Sequence, residues 1–264
     1  MSVTKGVFLA KKKDGSVYYR ASVTYRQKHI SLGSFATGHA AGDAYREARM
    51  LLDTPSLCFS ADYKPRFLSF EKYVTLMNFR DNQYYFGSPI YAYPRYFLYF
   101  LSRETVFKFD TDDLFYYASH KIMKRGGHYF IADYGMQVSL NSRYGIKPYA
   151  VSGRDYRFIN GDTCDFRYEN IEIINRYHGV RSVQKSGRTM YRAIIHIRSS
   201  YVIGLYRTEI EAAIAYNKAA DTLRKNGFTR SFMQNYIDSV TPSKYAELYD
   251  ALMISETVAR LAPI

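Results

Sequence analysis

Two stretches of the chain show the same apolar-polar pattern, and in both the period changes partway along. From Gly6 the residues are GVFLAKKKDGSVYYRASVTYRQKHISLGSFATGHAAGDAYREARMLL, and from Gly179 they are GVRSVQKSGRTMYRAIIHIRSSYVIGLYRTEIEAAIAYNKAADTL. Gly6 and Val7 align with Gly179 and Val180, Tyr19-Arg20-Ala21 with Tyr191-Arg192-Ala193, and Gly33, Thr37, Ala41, Tyr45, Ala48 and Leu52 with Gly204, Thr208, Ala212, Tyr216, Ala219 and Leu223. This is an internal repeat. Alternation with period two gives way to a period near 3.6, so each copy predicts three short strands and then a helix. In the second copy Tyr191, Ala193, Ile195 and Ile197 should point to one side while Arg192, His196 and Arg198 point to the other. Thr37 and Thr208 stand where a helix N-cap belongs, and the alanines behind them let each helix lie close on the apolar side. The basic side stays open, with Lys11, Lys12, Lys13 and Lys185 in the turns at its rim.

Composition sharpens this picture. The chain has 264 residues and a formal net charge of +13, and the charge is unevenly spread. Residues 1–53 carry +5, 54–175 carry +2, 176–230 carry +8 and 231–264 carry −2. Two basic blocks around a near-neutral middle suit polyanion-binding modules, although a solvated basic surface has the same composition. No apolar run is long enough to span a membrane, and residues 1–16 contain no secretory apolar stretch. Cys58 and Cys164 are the only cysteines, too few for a disulfide framework or a four-cysteine zinc site. A cytoplasmic setting is the expectation.

The order GVR, YRA, then glycine ahead of a threonine-capped AAxAY helix resembles the plant ethylene-response-factor (Apetala-type) DNA-binding domain and its phage and homing-endonuclease relatives. The second copy is the closer match, and both copies have Tyr where the family usually has Trp before its RA. The resemblance implies a three-stranded ribbon in the major groove of double-stranded DNA, with bases read by strand arginines. That role passes to Arg181, Arg188, Arg192 and Arg198, and by the weaker match to Arg20 and Arg26. Phosphate contact is the competing role for each of them.

Residues 156–175, YRFINGDTCDFRYENIEIIN, resemble the HNH nuclease motif commonly written DHINGDxLDNRRENL. The scaffold positions Ile159, Asn160, Gly161, Asp162, Asp165, Arg167, Glu169, Asn170 and Ile171 are all filled. Such a site needs a His to deprotonate water, an Asp and a distal Asn to hold one divalent ion, and an Asn to orient the His. The Asp position is Arg157, the His position Phe158 and the orienting position Phe166, leaving Asn170 alone. The resemblance therefore implies a degenerate site without catalytic metal or cofactor.

Elsewhere the histidines show no two-ligand spacing, and no phosphate loop or nucleophile elbow is present. Residues 54–100 are rich in aromatics which, with Arg66, Arg80 and Arg95, either fill a core or stack unpaired bases. Thr241 and Pro242 begin a helix whose stripe Tyr245, Leu248, Tyr249 and Leu252 either docks on the second module or dimerises. The expected architecture is α+β: two small three-stranded-sheet-plus-helix modules (1–53 and 176–264) flank an aromatic-rich segment and a degenerate HNH-like ββα domain (54–175). The expected function is non-catalytic DNA binding by a phage or mobile-element protein derived from a homing endonuclease. Two alternatives stay open: an inhibitor that grips RNA or a host nucleoprotein defence complex such as an RNA-guided nuclease, and an active HNH-type endonuclease with a rearranged site.

Overall fold

The structure, a computed structural model, describes residues 5–133 and 135–263; the first four residues of the N-terminal module lie outside them. The chain is α+β and forms two compact units, one running up to Leu140 together with Asp162–Asn170, the other made of Asn141–Gly161 and Ile171 onward.

In the first unit, strands β1 (Val7–Lys11), β2 (Val17–Tyr25) and β3 (Lys28–Phe35) form an antiparallel sheet. Helix α1 (Gly38–Asp53) crosses it, capped by Thr37, whose Oγ1 accepts from the Ala40 amide. Ala41, Ala44 and Ala48 are fully buried beneath it, as are Ala21 and Ile30 of the sheet. Helix α2 (Phe70–Asn82) follows and is buried along Tyr73–Arg80. Its core is shared with the first sheet: Phe59, Tyr63, Phe70, Tyr91 and Phe100 pack into the cluster that holds Val23 and Leu51. The aromatics of residues 54–100 are thus largely core. Arg80 is buried too, its guanidinium donating to the carbonyls of Leu51, Thr54 and Leu57 at 2.7, 2.9 and 2.5 Å. It closes the end of α1, whose last carbonyls lack partners in the helix, and is not available to a base.

Two further antiparallel sheets complete this unit: β4 (Ile90–Ala92), β5 (Tyr96–Phe100) and β6 (Val106–Asp110), then, after α3 (Leu114–Ser119), β7 (Ile122–Arg125), β8 (His128–Asp133) and β9 (Met136–Ser139). A helical turn, α4 (Leu140–Arg143), follows, with Leu140 the last residue of this stretch of the first unit and Asn141 the first of the second.

In the second unit β10 (Tyr156–Phe158) pairs with β11 (Ile171–Ile173). The sheet β12 (Val180–Lys185), β13 (Arg188–His196) and β14 (Ser200–Tyr206) follows, packed under α5 (Glu209–Lys225). Thr208 and Glu211 form a capping box at the start of α5. Then come α6 (Pro242–Ala251) and α7 (Glu256–Ala259). Phe232, Ile237 and Val258 enclose α5 from outside, and the α6 residues Tyr245, Leu248 and Tyr249 pack on the same core. That stripe docks on the second module.

The repeat holds at the level of single hydrogen bonds. Gly6 and Gly179 both have positive φ, +78° and +73°. The carbonyl of Gly6 accepts from Ser22 N–H at 2.9 Å and that of Gly179 from Ile194 N–H at 2.7 Å. A Cβ on Gly6 would come within 2.3 Å of the Tyr45 ring, and one on Gly179 within 2.4 Å of the Tyr216 ring. Each central strand shifts register just after its alanine, Ala21 or Ala193.

Candidate nucleic-acid interface

Directly paired residues of an antiparallel sheet share a face. In the second module Val180 pairs with Ala193, both buried against α5, so the next pair, Arg181 with Arg192, lies on the opposite, open face. Four residues along the strands and on the same face, Lys185 pairs with Arg188 across a tight turn whose residues Ser186 and Gly187 both have positive φ. Four cations thus stand as two like-charged cross-strand pairs. None of the four makes an ion pair with a carboxylate among the described residues, and Arg192 Nε is buried without an acceptor among them. Val183, Met190, Ile194, Val202 and Leu205 lie between and beside these cations, and His196 and Ser200 stand at the far end.

The first module presents a different face. Phe8, Arg20 and Ser34 form one row, and Ala10 and Tyr18 the next. Arg20 donates to the Tyr18 hydroxyl at 2.7 Å with its guanidinium over the same ring. Thr24, His29, Ser22 and Ser31 fill the rest.

Two of the sequence-predicted arginines stand off the strands. Arg26 forms the β2–β3 turn with Gln27, both at positive φ, and Arg198 lies in the turn between β13 and β14, beyond the last β13 residue, His196. The residue pattern ran smoothly into both turns, because charged residues suit an exposed strand and an exposed turn alike. Lys11 ends β1, and Lys12 and Lys13 begin the turn after it.

The HNH-like positions are distributed over both units. In the second, Arg157 and Phe158 sit on β10, where the exposed Arg157 pairs with Glu172 on the neighbouring strand at 2.6 Å. Phe158 lies against Tyr156, ring edge to face. In the first, Phe166 is buried against Phe107 and Phe109, and its amide donates to the Lys108 carbonyl at 2.7 Å. Asn170 is buried, and its side-chain amide donates to the Asp165 carbonyl at 2.8 Å. Asp165 holds Arg167 in a forked pair, with 2.7 Å to Nη2 and 2.9 Å to Nε. Burial opposes the Asp165 charge, but the guanidinium outweighs it and keeps the carboxyl below its usual range. Among the described residues no helix lies between β11 and β12, so none completes a strand-strand-helix unit directly after the hairpin.

One row of polar groups in the first unit looks catalytic until its protons are placed. His120 Nδ1 is 3.0 Å from Ser119 Oγ, and its Nε2 is 3.5 Å from Asp133. The same Nδ1 is 2.9 Å from the Tyr116 carbonyl, which can only accept. Donation from Nδ1 to that carbonyl is the assignment that satisfies both groups, and it leaves Nδ1 unable to take a proton from Ser119. Among the described residues no three His, Cys, Asp or Glu side chains are grouped as metal ligands, and no helix is long and apolar enough to cross a membrane.

No protein-family model matches the chain, and no curated protein and no solved structure matches it.

Proposed function

We propose that the chain binds double-stranded DNA without cleaving it, that the open face of the second module is its principal reading surface, and that it is a phage or mobile-element protein derived from a homing endonuclease. The observation that carries the DNA reading is the placement of Arg181–Arg192 and Lys185–Arg188 as like-charged cross-strand pairs on one face. Like charges directly opposite destabilise a sheet. An incoming polyanion relieves that repulsion. A three-stranded ribbon also has dimensions that fit a major groove.

The non-catalytic part rests on what the HNH-like positions are already doing. Arg157 is a fixed cation paired with Glu172, and Phe166 serves the aromatic core. Phe158 has no group that accepts a proton from water.

Titrating duplex against salt tests the first claim. Affinity should fall steeply, with log K against log salt losing about 0.9 in slope per phosphate neutralised; a flat response, or no duplex binding, overturns it. Retention of a host nucleoprotein in place of duplex would favour the inhibitor reading. Magnesium-dependent plasmid cleavage abolished by Asn170→Ala would return the protein to the nucleases.

A further inference from the structure

Each sheet has a cavity at the same place. In the second module it measures about 300 Å³ and is lined by His178, Gly179, Arg181, Ile194, His196 and Ser200. In the first it measures about 350 Å³ and is lined by Lys5, Gly6, Phe8, Ser22, Thr24 and His29, with Tyr45 and Arg49 of the helix. The pairing registers make these the same positions. Arg181 faces Arg192 as Phe8 faces Arg20, and His196 faces Ser200 as Thr24 faces His29. A hollow recurring at corresponding residues of two diverged sequences is a feature of the module.

The chemistry of the two linings differs. The second cavity adds Tyr149, Arg154 and Asp155 from the loop ahead of the sheet. Its carboxylate is already taken: Asp155 accepts from Arg154 at 2.6 Å, from the Val151 amide at 2.9 Å and from Asn175 at 3.2 Å. Burial alone would raise that carboxyl, but these donors outweigh it and hold it below its usual range. Arg181 has no carboxylate partner among the described residues and belongs to both the open face and the cavity. His196 and Ser200 are 3.4 Å apart and supply an imidazole and a hydroxyl. At about 30 Å³ per water the hollow has room for an anion with part of its hydration shell.

We infer that the cavity of the second module is a subsite for one backbone phosphodiester of bound DNA, held by Arg181, His196 and Ser200. The inference rests on the DNA-binding reading and adds where the strand is gripped. The corresponding hollow of the first module has Phe8 at the Arg181 position, and its two cations stand off the strands: Lys5 ahead of β1, and Arg49 on α1, where it is paired with Asp53 at 2.7 Å.

The test compares salt slopes for a single duplex. The double variant Arg181→Gln, His196→Gln should bind about five-fold more weakly at roughly 0.15 M salt, with a slope shallower by about 0.9, the signature of one lost phosphate. Both positions are exposed, and an unchanged thermal midpoint checks the fold. Phe8→Arg should do the reverse, steepening the slope by about 0.9 through the first module's cavity. Normal duplex binding with neither slope moved overturns the inference and leaves the DNA reading standing. No duplex binding by the unmodified chain overturns both. Saturable stabilisation by inorganic phosphate alone, with the duplex slope unmoved by the double variant, would reassign the hollow to a free anion and overturn the phosphodiester.

Discussion

At the same helical position, counted from the capping threonine, the first module carries Glu47 and the second Lys218. Glu47 is buried and accepts from the backbone amides of Arg66, Phe67 and Leu68 at 2.8, 2.8 and 2.9 Å. Lys218 donates to the carbonyls of Tyr249, Asp250 and Leu252 at 2.7, 3.1 and 2.9 Å. The reason for the inversion is polarity. In the first module the chain returns to the helix with free N–H groups just ahead of α2, and in the second it returns with the orphan carbonyls that end α6. The interior of the repeat follows one pattern, while its outer helix face takes the sign required by the backbone end that abuts it. The sheet faces diverge in the same way, two like-charged pairs on the open face of one module against Arg20 as the single Lys or Arg on that face of the other.

The largest effects should come where the modules are alike. Gly6→Ala and Gly179→Ala each drive a Cβ into a tyrosine ring at a positive φ, with a backbone carbonyl 2.5 Å away in both cases. Each should destabilise its own unit by about 3 kcal/mol or more, measured by urea unfolding. A large loss in one unit and almost none in the other would break the structural equivalence of the repeats.

Next come the inverted clamps. Glu47→Gln and Lys218→Met should each cost about 2 kcal/mol, because hydrogen bonds to charged groups are worth about 1.5–3 kcal/mol. Reversing the charge sharpens the point: Glu47→Lys should be worse than Glu47→Gln, and Lys218→Glu worse than Lys218→Met. Amide exchange supplies the local readout, since Phe67 and Leu68 should lose protection when Glu47 is changed. Charge reversals no worse than the neutral variants would show that these side chains act by packing alone.

The clamps also mark where sequence reading stopped. The repeat itself was legible because its punctuation is local: a glycine that no side chain can replace, a threonine cap, alanines at helical spacing. Glu47 and Lys218 gave no such sign, since their partners are backbone groups, which every residue has. Arg26 and Arg198 continue the strand pattern in the sequence, and nothing in their own chemistry marks a turn. Arg80 was legible only as one of two roles, and burial under the carbonyls of Leu51, Thr54 and Leu57 decides between them. The run Asn160-Gly161-Asp162 matches a nuclease frame, yet the division between the two units falls within it, which no local pattern announces.

Binding should separate the two sheet faces at a smaller scale. Arg192→Ala should weaken duplex affinity by about 1–3 kcal/mol. Arg20→Ala should cost less, because Arg20 is already engaged by the Tyr18 hydroxyl. Competition titrations at fixed salt give the ranking directly. An equal or reversed order would make the first module the reader, or make both modules equal partners on the duplex.

The smallest effect concerns the hairpin turns. In the second module the tight turn is Ser186-Gly187, with φ of +51° and +74°. In the first the tight turn is in the other hairpin, between β2 and β3, where Arg26-Gln27 stand at +44° and +64°. Two side-chain-bearing residues in the left-handed region are strained, and a glycine at the second position removes the clash between Cβ and the backbone. Gln27→Gly also enlarges the freedom of the unfolded chain, which offsets part of the gain. The net expectation is a stabilisation of about 0.5 kcal/mol in the first unit, read as a small rise in its unfolding midpoint. The reverse change, Gly187→Gln, should lower the second unit's midpoint by a similar amount. If Gln27→Gly destabilises, then the Arg26-Gln27 turn is held by something other than its backbone, and the two hairpins do not follow one rule.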